Sequence, residues 1–253
     1  MLTAAVVAAC GRQVTPNPVG VGPIGTLPGQ MGVAFDVAAP FNFSSYQYWV
    51  IFDTTGDGQT PSTQPFLNNW AGYSSGIEVS GSGGSTYAAA YQFVKNPSQP
   101  HARPAFVHII TTPQQLQYLF NQNGAGSEFT LIFDRNIFTS IANNPSQQPL
   151  ARNWTYNAFT TQASTLNQLL ILDSMGAGGG NPPQYVSPTL NTWQCLDNTY
   201  TALFSGQQLN PAAQITSIEI ANNPSPAPSP TPSAVPCSGD SGDARHILSE
   251  ITR

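Results

Sequence analysis

The sequence predicts a mostly β protein: an antiparallel β-sandwich with one short helix near residues 113–121 and disordered, Pro-rich termini. Three observations carry that expectation. The 253 residues include 22 Gly and 23 Pro, which break helix interiors. Short aromatic and β-branched runs recur between turn-forming clusters. These runs do not alternate with long helical patterns, as a doubly wound parallel sheet requires.

Taken in order, the strand signals begin at Tyr46-Gln47-Tyr48-Trp49-Val50-Ile51-Phe52, which ends in the turn Asp53 to Gly58. Gly76-Ile77-Glu78-Val79 alternates and stops at a Gly/Ser cluster, residues 81–84. Thr86 to Val94, Ala105 to Ile110, Glu128 to Phe133 and Trp154 to Thr160 follow, then Leu169 to Leu172. Gln214 to Ile220 closes the set, with Ile215, Ser217 and Glu219 alternating with Thr216, Ile218 and Ile220. The single helix is expected after Thr112. Thr112 caps, Pro113 suits the first helical position and Gln115 completes a capping box. Leu116, Leu119 and Phe120 then share a face, and Asn123-Gly124 ends the helix.

Only 8% of residues are charged, about a third of the usual share. Twelve acids against seven bases give a formal charge of −5, with no basic cluster. Phosphate-backbone binding needs lysines and arginines, so no nucleic-acid partner is expected. No apolar run approaches the ~18 residues of a spanning helix. Asn, Gln, Ser and Thr carry the polarity, which fits an extracellular surface.

The chain opens MLTAAVVAACGRQ, and Val7-Ala8-Ala9-Cys10 resembles the lipobox of bacterial lipoproteins. That resemblance implies a signal peptide, of which residues 1–10 are the remnant, with the natural start upstream of Met1. It also implies a lipid on Cys10, an anchor in the bacterial cell envelope and an extracytoplasmic location. The lipid would be the chain's only link to the membrane. Residues 11–30 read as a flexible tether and 31–222 as the sandwich. Residues 223–253 read as a Pro-rich tail with a polyproline spacer. With Cys10 lipidated, Cys195 and Cys237 are free to pair as a disulfide; two unpaired thiols are the alternative.

Several motifs look catalytic and lack their context. Gly72-Tyr73-Ser74-Ser75-Gly76 matches a nucleophile elbow, with Asp134 or Asp173 and then His246 in hydrolase order. The elbow needs a strand before its serine and a helix after it, and here a strand follows. Cys237 to Gly242 resembles the serine-nucleophile segment of chymotrypsin-like proteases. Only twelve residues follow Ser241 and no histidine box precedes it. The glycine run 176–180 has no Lys-Ser or Lys-Thr after it, so it is no phosphate cradle. Asp53, Thr55 and Asp57 stand where a calcium loop places its first oxygens, with Gly58 at the sharp turn. Position 12 holds Gln64 instead of glutamate, and a plain Asp/Gly turn accounts for the same residues. Calcium is the one candidate cofactor. His101 and His108 have no evident partner, and His108 reads as a strand residue.

Trp70, Tyr73, Trp154 and Tyr156 lie amid Asn, Gln and Thr, the mix that binds sugars by ring stacking and hydroxyl hydrogen bonds. The competing reading for Trp154 and Tyr156 is core packing, since they share one strand face. The aromatic strand, the Asp-x-x-Gly-Asp-Gly turn, Asn69-Trp70-Ala71-Gly72-Tyr73 and the Ile-Glu-Val strand together resemble DOMON-like and family-9-type carbohydrate-binding sandwiches. The similarity spans about residues 33–173. It implies a sandwich with ligand-facing aromatics; haem ligation would have only Met31 and Met175 to draw on, without a histidine partner.

The sequence thus points to a surface lipoprotein that acts as a ligand-binding module for glycans. A structural or adhesive envelope protein, with another envelope protein as partner, is the alternative. A hydrolase using Glu78, Glu128 and Asp134 is the second alternative. It requires two carboxyls about 5 Å or about 6.5–9.5 Å apart.

Overall fold

The computed structural model describes residues 24–54, 73–82, 85–94, 98, 104–120, 126–138, 153–163, 171–175, 184–186, 192–198 and 208–224. Twelve strands lie among them, in two antiparallel sheets. The five-stranded sheet has the order β11 (Thr192–Asp197), β12 (Ile215–Asn222), β1 (Gln30–Val37), β7 (Glu128–Asp134), β6 (Leu116–Phe120). The seven-stranded sheet runs β10 (Gln184–Val186), β8 (Trp154–Gln162), β2 (Tyr46–Asp53), β3 (Ser75–Ser82), β4 (Ser85–Val94), β5 (Ala105–Ile109). In it β9 (Ile171–Ser174) also pairs with β8. The antiparallel sandwich expected from the sequence is present.

Alternation builds the core. Met31, Val33, Phe35 and Val37 of β1 face Tyr48, Val50 and Phe52 of β2 across the sandwich. Phe129, Leu131 and Phe133 of β7 complete the layer with Trp154, Tyr156 and Ala158 of β8. Each such side chain, fully buried, contributes about 1.5–3 kcal/mol. At one end Phe35 stacks on Phe129 at 4.9 Å; at the other Phe52 lies 5.7 Å from Phe133.

The helix expected near 113–121 is not formed. Residues 113–115 make a turn, and Leu116–Phe120 is strand β6. The capping signal is real but local: Thr112 N–H donates to Gln115 Oε1 at 3.0 Å, and Leu116 N–H to Thr112 O at 3.1 Å. Past that turn Leu116, Tyr118 and Phe120 alternate toward the core and pair with β7. A nine-residue helix has little stability of its own, so the sheet ladder wins.

Residues 24–29, expected within the tether, form a strap over the outer face of the five-stranded sheet. Leu27-Pro28-Gly29-Gln30 is a tight turn with Gln30 N–H on Leu27 O at 2.9 Å and Gly29 at φ 92°. Proline second and a positive-φ glycine third are what a type II turn requires. Ile24 packs with Ala34, Ile132, Trp193 and Ala221. Gly32 makes room for it: a Cβ there would lie 2.3 Å from Ile24 Cγ2. Asn223 fastens the strap, its Nδ2 donating to Thr26 O at 2.8 Å and its O accepting from Gly29 N at 2.8 Å. The strap and the start of the tail therefore sit side by side at one end of the sandwich.

Polar side chains lock the two sheets together. Tyr156 OH donates to Gln194 Oε1 at 2.6 Å and Tyr118 OH to Thr86 O at 2.6 Å. Asp173 of β9 accepts from Ile215 N, on β12, at 2.8 Å and from Ser174 N at 2.9 Å.

Candidate functional site

The outer face of the seven-stranded sheet is not an ordinary solvent face. The run Tyr48-Trp49-Val50-Ile51-Phe52 is apolar on both sides, so Trp49 and Ile51 point away from the core cluster. They join Tyr73, Ala89, Tyr91, Phe93, Phe159 and Ile171 in a second apolar layer, with Phe106 against it. The rings form a continuous path. Trp49 lies 5.6 Å from Tyr91 and 5.8 Å from Phe106, Phe93 is 4.8 Å from Phe106, and Tyr91 is 5.5 Å from His108. Trp49 is fully buried, whereas His108 and Tyr87 are exposed, so the face grades from closed to open.

Glu78 stands in this layer. It is opposite Trp49 on β2 and Ala89 on β4, and only 1% exposed. Burial raises its carboxyl pKa, and the Tyr91 and Ser80 hydroxyls offset part of that rise. Tyr91 is raised in turn by burial first and by the Glu78 charge second. Among the described residues Glu78 Oε1 has no hydrogen-bond partner. A buried acceptor left unsatisfied costs about 1–3 kcal/mol, more when charged. The exposed Tyr87 ring and His108 imidazole, backed by this layer, can stack on a ligand and exchange hydrogen bonds with it.

The predicted aromatics sit elsewhere. Trp154 and Tyr156 are buried in the central core, Trp154 6.1 Å from Phe52 and 6.0 Å from Phe138. Tyr73 is buried against Phe159 at 5.9 Å. None of the three offers a ring to solvent, because the strand's even positions face inward and Tyr73 lies beneath the outer layer. Trp70 lies outside the described residues. So do Thr55 and Asp57 of the calcium-like turn; Asp53 is buried at the end of β2.

The proposed carboxylate set does not assemble. Glu128 and Asp134 lie at opposite ends of β7, six residues apart and so about 20 Å apart. Both are on the outer face of the five-stranded sheet, away from Glu78. Ser74 is no elbow nucleophile: its Oγ accepts from Thr54 N at 2.8 Å and contacts Thr54 Oγ1 at 2.9 Å, closing the β2–β3 connection. Met31 and Met175 are core residues. Cys195 is disulfide-bonded. Cys10 and Cys237 both lie outside the described residues, as does His246.

Sequence reasoning missed Trp49, Tyr87 and Tyr91 as a group. The available signal was the loss of alternation in β2, together with tyrosines and phenylalanine at Tyr87, Tyr91 and Phe93 along one side of β4. No family model matches this chain, and no curated protein or solved structure matches it.

Proposed function

We propose that this chain is a lipid-anchored envelope protein whose sandwich binds glycans on the outer face of its seven-stranded sheet. One observation carries the reading: Tyr87 and His108 are exposed at the open side of the outer aromatic layer, with Tyr91 and the buried Glu78 behind them. A sugar supplies C–H faces for the exposed rings and hydroxyls for the His108 imidazole. Anchoring rests on the Val7-Ala8-Ala9-Cys10 lipobox resemblance. A disulfide at Cys195 fits an oxidising compartment outside the cytosol. Lipidation of Cys10 then requires Cys237 to be the partner of Cys195. Asp53, Thr55 and Asp57 are the residues proposed to hold calcium.

The test is a glycan array probed with the full chain, in calcium and again with chelator. The expected result is specific binding that falls at least tenfold in Tyr87→Ala and in His108→Ala, with the thermal midpoint kept. Loss only with chelator moves the site to the Asp53 turn. A folded protein that binds no glycan overturns the reading. The structural or adhesive role then takes its place.

A further inference from the structure

We propose that Asn42 is an acceptor site for N-linked glycosylation, with the Ser44 hydroxyl as its positioning group. The inference does not depend on glycan binding by the outer face. An asparagine with serine or threonine at the second position after it, and any residue but proline between, is the acceptor pattern for N-linked sugars. Asn42-Phe43-Ser44 meets it. Asn96, Asn144 and Asn223 also have a serine at the second position, but proline stands between in each. Asn153-Trp154-Thr155 meets the pattern and fails on structure. Asn153 is exposed, but Trp154 is fully buried and Thr155 is buried in β8, between Asp53 of β2 and Tyr185 of β10. A transferring enzyme would have to pull β8 out of the sheet to reach that hydroxyl.

The connection between β1 and β2 presents Asn42 differently. Phe41 and Phe43 turn toward the core, 4.7 and 5.6 Å from the Tyr48 ring, and stack on each other at 5.5 Å. Between and after them, Asn42 is half-buried and Ser44 exposed. Asn42 N–H donates to Tyr48 OH at 3.1 Å, and its C=O accepts from Ser45 N at 3.1 Å and Tyr46 N at 2.9 Å. The acceptor's backbone is thus pinned to the sandwich while its carboxamide reaches the surface beside Ser44. Ser44 Oγ donates to Asn42 Oδ1 at 2.6 Å in an exposed bond, which fixes the carbonyl side of the carboxamide. Nδ2 lies on the other side, and among the described residues it has no hydrogen-bond partner. A sugar on Nδ2 therefore breaks no hydrogen bond of the turn and displaces neither phenylalanine.

The substrate class is a sugar whose anomeric carbon is esterified to a diphosphate. Asn42 Nδ2 bonds to that carbon, its bond to the diphosphate oxygen breaks, and the diphosphate departs with the electron pair. The proton lost from Nδ2 goes to a base of the transferring enzyme. This chain supplies the acceptor alone; the enzyme and the activated sugar come from the cell. A nucleotide carrier of the diphosphate delivers a single sugar, and a membrane-lipid carrier delivers a preassembled oligosaccharide.

Glycopeptide mapping of the full chain, isolated from its own cells, tests this. The peptide holding Asn42 should carry the added mass of a sugar, localised to Asn42 by fragmentation. A single sugar identifies the nucleotide carrier, and an oligosaccharide the lipid carrier. Asn42→Gln and Ser44→Ala should lose the modification, with the thermal midpoint kept. Ser44→Thr retains the hydroxyl and should keep the modification, as should Asn153→Gln. A bare Asn42 in the parent overturns the proposal. So does a Ser44→Ala chain modified to the same extent as the parent.

Discussion

Replacing Asp173 by asparagine tests how the two sheets are joined, and the pH dependence gives the sign. Asp173 sits on β9, 1% exposed, with one carboxyl oxygen on Ser174 N and the other on Ile215 N of β12. Burial pushes its pKa from 3.8 up to about 7, against the two N–H donors that favour the charged form. A carboxyl with a raised folded-state pKa holds its proton in the folded chain while the unfolded chain has released it. Its contribution is complete below about pH 3.8 and is lost as pH rises through about 7. The shift of about three units, at about 1.4 kcal/mol each, corresponds to about 4 kcal/mol over that window. Asparagine does not titrate. The stability difference between parent and Asp173→Asn should therefore favour the parent by about 2–4 kcal/mol more at pH 4.5 than at pH 8. Urea unfolding of both proteins at the two pH values measures it. A difference that is flat with pH, or that grows toward alkaline pH, refutes the reasoning.

Three further outcomes follow from the packing. Gly32→Val places a branched side chain where Ile24 Cγ2 already sits, so the strap must lift, and unfolding should cost about 1–3 kcal/mol less in urea titration. Tyr156→Phe removes the buried 2.6 Å bond to Gln194 and should destabilise by about 1–3 kcal/mol, whereas Tyr118→Phe, on a part-buried bond, should lose about 0.5–1.5 kcal/mol in the same assay. Non-reducing peptide mapping of protein from its native envelope should find Cys195 linked to Cys237 and a lipid on Cys10; a Cys10–Cys195 link would remove the anchor.

The strands legible in the sequence are those whose residues declare both identity and limits. β2, β4, β7, β8 and β12 are aromatic or β-branched runs bounded by Gly, Asn or Asp, and each is found within a few residues of its expected place. β1 escaped notice although Met31, Val33, Phe35 and Val37 alternate cleanly, because the Pro/Gly-rich segment before it masks its start. β6 was hidden by a capping box that makes one turn and no more. The short β10 and β11 have no periodicity long enough to register. For the site, composition identified aromatics and amides as the chemistry but could not say which face of a strand looks outward. Trp154 and Tyr156 share a face, and only the second sheet decides that it is the inner one. The neighbours of Glu78 come from β2, β3 and β4, so their meeting is a product of register, and Asp173 reaches β12 only through the packing of two sheets.

Ligands are proposed to meet this protein on the outer face of the seven-stranded sheet. The most direct measurement is a titration of the full chain with the best glycan from the array, followed by NMR at the His108 imidazole and the Tyr87 and Tyr91 rings. Saturable shifts are expected at these three residues, and in Tyr87→Ala those at His108 and Tyr91 should be lost. Shifts confined to the opposite outer face, at Asp36, Glu128 or Asp197, with His108 unmoved, would contradict it.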